Sequence, residues 1–261
     1  MNKVIAALDN DAAARPVALT ALSVAALFGA KPEAVHVRED GAATAAASAG
    51  AAGIEMRLIG GSPLAGLKGA AEPDDVSVVV LGARATPAGR HPAGSTALEL
   101  ITSLRKPVVV VPPNAAHPER IESVLVPLDG TRASASALAG IIELARGSEI
   151  EVIVLHVIEE ASLPSFSDQP QHEERAWAEE FVARYCPCPL EEVKLELRVG
   201  RPHEHVVRIV RETGADLLAL GWSQNLAPGR AAVVRESLAQ SPVPVLLVPV
   251  IDSSERGGAS R

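Results

Sequence analysis

Aromatic side chains are scarce, with three Phe, two Trp and one Tyr in 261 residues. The interior therefore cannot be built on rings, and Val, Leu, Ile and Ala must fill it by close packing. Cysteine is nearly absent as well: Cys186 and Cys188 flank a proline in Tyr-Cys-Pro-Cys-Pro. A disulfide across one residue is strained and a metal site needs two further ligands, so the pair reads as two thiols in a turn. Long apolar runs are missing. Val76 to Leu81 and Val108 to Val111 fall far short of the roughly 18 residues that cross a bilayer. The stretch from Met1 to Asp9 turns polar too early for a secretory leader and reads as a strand, so the expectation is a cytoplasmic protein with no membrane partner.

Positive charge is in deficit in one half only. The formal charge is −8; residues 1–117 carry 10 basic and 10 acidic side chains, residues 118–261 carry 14 and 22. An acidic half repels phosphate backbones, which excludes nucleic acid as the main partner. With 48% hydrophobic residues and Gly and Pro at 20 each, the chain reads as globular rather than disordered or fibrous.

What is present is a repeat. Lys3-Val-Ile-Ala-Ala-Leu-Asp9 lies on Ser123-Val-Leu-Val-Pro-Leu-Asp129, and His36-Val37 on His156-Val157, both at an offset of 120. Glu55-Met-Arg57 then lies on Glu196-Leu-Arg198, Leu81-Gly82 on Leu220-Gly221, and Lys106-Pro107-Val108 on Val243-Pro244-Val245, at offsets of 141, 139 and 137. This pattern is a duplication of one unit. The jump in offset places some twenty extra residues in the second copy, where Glu173 to Tyr185 reads as a charged amphipathic helix. The first copy offers only the alanine-rich stretch from Gly41 to Gly53, a shortened crossover.

Each copy alternates strands and helices, strand first and strand last. In the second the spans are 122–129, 132–146, 150–158, 171–185, 193–199, 203–213, 215–221, 230–240 and 244–250. Near-continuous apolar strands suit a parallel sheet covered on both faces, so the expected fold class is α/β, two tandem doubly wound domains. Their limits are read as 1–113 and 120–250, joined by the proline-rich Pro112 to Arg120, with 251–261 a disordered tail.

In such a sheet, ligands settle at the carboxyl ends of the strands, where the strand order reverses. The first copy places there Asp9, Val37, the Gly82-Ala-Arg-Ala85 turn with Arg84, and Gly94-Ser95-Thr96 opening the last helix. Glycine lets a backbone approach a phosphate, and amides and hydroxyls at a helix start favour an anion. A plain helix N-cap explains the same three residues. Asp129, Val157 and Gly221 stand at the matching places in the second copy. Arg84, Arg90 and Arg230 could meet a phosphate or could simply be solvated. His203 and His205, at i and i+2, do not share a helical face as a metal pair would, and His36 and His156 inside strands read as core histidines. Glu173, Glu174, Glu179 and Glu180 read as a solvated helix face. No Ser-His-Asp order, paired carboxylates or ligand cluster marks a hydrolase.

The Leu-Asp after strand one, the His-Val ending strand two, the Leu-Gly-Ala-Arg, the Gly-Ser-Thr and the closing Lys-Pro-Val-Val-Val-Val-Pro together resemble the universal stress protein family in its tandem form, common in bacteria. The resemblance spans nearly residues 1–250. It implies five parallel strands per domain in the order 3-2-1-4-5. For members that bind nucleotide, it implies ATP or another adenine nucleotide, with Mg as a companion ion. Asp9 and Val37 would then meet the adenosine, and Gly82, Gly94, Ser95 and Thr96 the phosphates. It also implies pairing between modules through the last strands, here Val108 to Val111 and Val245 to Val248, giving an internal pseudo-dimer and leaving a homodimer open.

Two departures stand out. The family's phosphate loop runs Gly-x-x-Gly-x9-Gly-[Ser/Thr]; in the first copy the second glycine is Ala85 and the loop is one residue short. In the second copy, counting back from Pro244 puts Ala231-Ala232 where the first has Gly94-Ser95. The expectation is a non-enzymatic nucleotide sensor whose first copy is the binder. The alternatives are a protein without nucleotide that acts on an unknown protein partner through its acidic half, and a slow ATPase.

Overall fold

The computed structural model describes residues 1–37, 41–83, 93–158, 170–227 and 231–250. Arg84, Arg90, Arg230, the side chains of Glu173 and Glu174, and the 251–261 tail lie outside the described residues. The first half runs β1 (Lys3–Ala7), α1 (Ala14–Leu27), β2 (Lys31–Val37), α2 (Ala43–Ala51), β3 (Met56–Ile59), α3 (Pro63–Ala71), β4 (Val76–Gly82), α4 (Ser95–Ser103) and β5 (Val108–Val111). The second runs β6 (Ser123–Pro127), α5 (Arg132–Gly147), β7 (Glu151–Ile158), α6 (Pro170–Tyr185), β8 (Lys194–Val199), α7 (Pro202–Thr213), β9 (Leu217–Trp222), α8 (Ala232–Gln240) and β10 (Val245–Pro249). Local chemistry sets several of these bounds. Ser62 caps α3 by accepting from the Ala65 amide, with Pro63 opening the helix, and Thr131 caps α5 through the Ser134 amide. Gly214 ends α7 at φ +68, a left-handed turn that glycine adopts without cost.

All strand pairs within each half are parallel, in the order β3-β2-β1-β4-β5 and β8-β7-β6-β9-β10. Both therefore have the 3-2-1-4-5 order. Every residue of β5 and β10 is buried, so either strand left as a sheet edge would expose apolar surface and unpaired backbone. Instead they pair antiparallel, Val108 with Leu247, Val109 with Leu246 and Val110 with Val245. The two sheets become one of ten strands.

Alternation along β5 and β10 divides the interior into two layers. Val109, Val111, Leu246 and Val248 join one cluster beneath α1, α2, α5 and α6. Val108, Val110, Val245 and Leu247 join the other, beneath α3, α4, α7 and α8. Both clusters run across the two halves, so the duplicated units share their cores as well as their sheet.

The crossovers after β2 and β7 differ as the offset jump requires: α2 has 9 residues and α6 has 16. Helix α2 is capped from outside itself, because Ala42 at its N-cap offers no side-chain acceptor and Asn10 Oδ1 accepts from the amides of Thr44 (2.8 Å) and Ala45 (3.4 Å). On α6, Trp177, Phe181 and Tyr185 recur every four residues, which aligns half of the chain's six aromatic rings along one face. Phe181 stacks on His156 at 4.1 Å between centroids.

Beyond α6, Cys186 and Cys188 are free thiols whose sulfur atoms lie 2.7 Å apart. Burial, with Cys188 adding to it, pushes the Cys186 thiol up to about 12. Among the described residues, no helix is long and apolar enough to cross a membrane.

Candidate functional site

A parallel sheet with helices on both faces leaves a crevice beyond its carboxyl edge where neighbouring connections diverge to opposite faces. In the first module β1 leads to α1 on one face and β4 leads toward α4 on the other, and a cavity of about 270 Å³ opens between them. Asp9, two residues past β1, lies at its rim with Asn10 and Asp11. Val37 ends β2 and lines the wall with Pro63 and Leu67 of α3. Gly82 ends β4 on the floor. A Cβ there would meet Val17 at 3.4 Å and Ala13 at 3.5 Å, ordinary contact distances.

The far end of the cavity is the start of α4, with Gly94 at the N-cap and Thr96 and Ala97 in the first turn. Gly94 provides no side-chain cap, and first-turn amides have no partner within a helix. These donors and the positive end of the helix dipole face the space between Gly82 and Thr96. Ser95, the first helical residue, is exposed and does not line the cavity. Thr96 is turned by about 100° from Ser95 around the helix, so its side chain reaches the cavity while that of Ser95 points to solvent, and Gly94 borders the cavity as the extended N-cap.

His36 anchors the other side. Nδ1 lies 2.8 Å from the Leu8 carbonyl and Nε2 lies 3.0 Å from the Gly41 carbonyl, so this buried ring ties the end of β1 to the segment entering α2. His156 repeats the first of these bonds, Nδ1 to the Leu128 carbonyl at 2.9 Å. His36 is buried inside the fold, as its place within a strand implies, whereas His156 is half-buried.

The second module has a cavity of about 500 Å³ at the equivalent place. Leu128, Asp129, Val157, Pro202, Val206 and Gly221 line it where Leu8, Asp9, Val37, Pro63, Leu67 and Gly82 line the first. The floor and side walls are thus duplicated. The helix end is not: α8 starts from Ala231, with Val233 in the place of Thr96. Ala231 has φ +51 and ψ +38, a left-handed backbone on a residue that has a Cβ. Trp222, the residue after Gly221, stands where the first module has Ala83 and is buried against the same cavity. Asp129 Oδ1 accepts from both the amide and hydroxyl of Thr131.

Of the sequence-derived candidates, Asp9, Val37, Gly82, Gly94 and Thr96 are brought together in one cavity, and Asp129, Val157 and Gly221 in the other. Arg84 lies outside the described residues. Asn10, Asp11, Pro63 and Leu67 also line the first cavity and were not singled out in the sequence. Pro63 was detectable, since Pro202 matches it at the same offset of 139 that aligns Gly82 with Gly221. His203 lines the second cavity, and among the described residues no group of three or more His, Cys, Asp or Glu is arranged to hold a metal ion.

The model of the universal stress protein family matches this chain twice, over residues 38–112 and 120–249. No curated protein sequence matches it. Among solved structures, a universal stress protein from Archaeoglobus fulgidus DSM 4304 is 17% identical and superposes with a TM-score of 0.66, covering 96% of this chain and 97% of its own. A protein from Pseudomonas aeruginosa UCBPP-PA14 is 14% identical with a TM-score of 0.67, covering 95% of this chain and 93% of its own. At these identities the likeness is one of fold, and it extends over the full two-module length.

Proposed function

The chain belongs to the universal stress protein family, and on that premise we propose that its first module binds an adenine nucleotide, ATP or a relative of it, and that the protein works as a sensor of that ligand. The observation that supports this most is the convergence of Asp9, Val37, Gly82, Gly94 and Thr96 on one cavity. The base and ribose would lie between Val37, Pro63 and Asp9. The phosphates would lie at the start of α4, on the Thr96 hydroxyl and the first-turn amides, with any Mg carried by the phosphates themselves.

A non-catalytic role is part of the same reading. Among the described residues, His36 is the one histidine on the cavity wall. Both its ring nitrogens are already directed at carbonyl oxygens, so neither is disposed to take a proton from a water attacking a phosphate. The acidic second half and its altered helix start favour a different task for that module, treated below.

The test is mass spectrometry of what the purified protein releases on denaturation, with calorimetric ATP titration of the wild type and Thr96→Val. We expect adenine nucleotide in the release and about tenfold weaker ATP binding in the variant, the effect of losing one hydrogen bond to a charged group. A wild type that neither carries nucleotide nor binds ATP contradicts the reading.

A further inference from the structure

At its helix start the second cavity has hydrocarbon where the first has the Thr96 hydroxyl. Gly94 becomes Ala231, Ser95 becomes Ala232 and Thr96 becomes Val233 at the helix start, and Ala83 becomes the indole of Trp222. The facing walls are Leu128, Leu155, Val206 and Leu220. Asp129 is the only carboxylate among the described lining residues. Its charge repels an anion, and one of its oxygens is already held by Thr131. Thr131, Ser134, His203 and Ser223 also line it, the Thr131 hydroxyl already donating to Asp129, and the helix start adds no side-chain donor, so a phosphate placed here would lose its water without the hydroxyl that the first cavity provides there.

We propose that the cavity of the second module takes an uncharged, mainly apolar small molecule, so that duplicated positions in one chain serve two chemically different ligands. The driving force is removal of the leucine, valine and indole surface, and that of the ligand, from water. The cavity of about 500 Å³ is of the size that small organic ligands occupy. This inference concerns the second module alone, and its failure would leave the nucleotide reading of the first untouched.

The probe is N-phenyl-1-naphthylamine, an uncharged naphthylamine that brightens on leaving water and accepts energy from tryptophan. The chain has two tryptophans. Trp177 is exposed on α6 and Trp222 lines this cavity, so in the full-length Trp177→Phe variant all tryptophan emission comes from Trp222. The expected result is saturable binding of one probe per chain, with quenching of Trp222 and no displacement by excess ATP. Val233→Thr should weaken the probe about tenfold, because its hydroxyl must be desolvated against an apolar ligand. Thr96→Val, in the other module, should leave the affinity unchanged. Absence of saturable binding, an unquenched Trp222, displacement by ATP, or equal affinity in a folded Val233→Thr would each overturn the proposal. The Trp222 signal decides the matter even if Val233→Thr does not fold.

Discussion

Gln224 of the second module donates its side-chain amide to the Leu104 carbonyl at 2.6 Å and to that of Ile101 at 3.0 Å, satisfying the C-terminal end of α4 in the first module. The same helix bounds the cavity of the first module at its other end. Gln224 in turn sits two residues past Trp222, on the loop leaving the second cavity, and holds a left-handed backbone at φ +57 to make the reach. The loop of one site is therefore fastened to the helix of the other.

Removing that fastening should cost stability. Gln224→Ala leaves two helix-end carbonyls without their donor, which we expect to lower the unfolding free energy by about 1–2 kcal/mol. Denaturant titration should show a lower midpoint at an unchanged slope. An unchanged midpoint would mean that the two modules are held by the β5–β10 pairing and their shared cores alone.

Ala231 is a site where a substitution should help. Its φ of +51 is a region that costs an L residue with a Cβ roughly 1–2 kcal/mol and glycine almost nothing. Ala231→Gly also restores the residue found at the matching Gly94. Allowing for the extra freedom glycine gives the unfolded chain, a net gain of about 1 kcal/mol is predicted in the same titration, and a loss would show that the left-handed turn is not kept in solution.

The Cys186 thiol, raised to about 12 from an ordinary 9.0 by burial and by Cys188, should be a poor nucleophile. Alkylation by iodoacetamide at pH 8 is expected to be roughly a thousandfold slower than for a free cysteine, because the thiolate is the reacting species. The fold favours the neutral thiol. Its contribution to stability is therefore complete below the unfolded value of 9.0 and is lost as pH rises from there through the folded value. Unfolding midpoints should fall above pH 9, less steeply in Cys186→Ser. Fast labelling at pH 8 would contradict the burial of this thiol.

Much of this architecture was legible because the chain carries its own comparison. The offset that aligns Asp9 with Asp129 also aligns His36 with His156, and the two rings make the same bond to the carbonyl preceding those aspartates. The offset of 137 that aligns Pro107 with Pro244 pairs Gly94 with Ala231, and the structure places both at helix N-caps. What the sequence withheld depends on side-chain direction and on distant partners. The outward turn of Ser95 follows from the phase of α4, which the string Gly-Ser-Thr does not specify. The cap that Asn10 lends to α2 reaches across 34 residues and that of Gln224 across 120, and neither has a counterpart in the other copy to betray it.

On the proposed function one module of the two takes nucleotide, and a count of the sites decides it. Equilibrium dialysis of nucleotide-stripped protein against radiolabelled ATP should give one site per chain, weakened by Asp9→Ala and unmoved by Asp129→Ala. Two sites, none, or one that responds to Asp129 instead of Asp9 would contradict it.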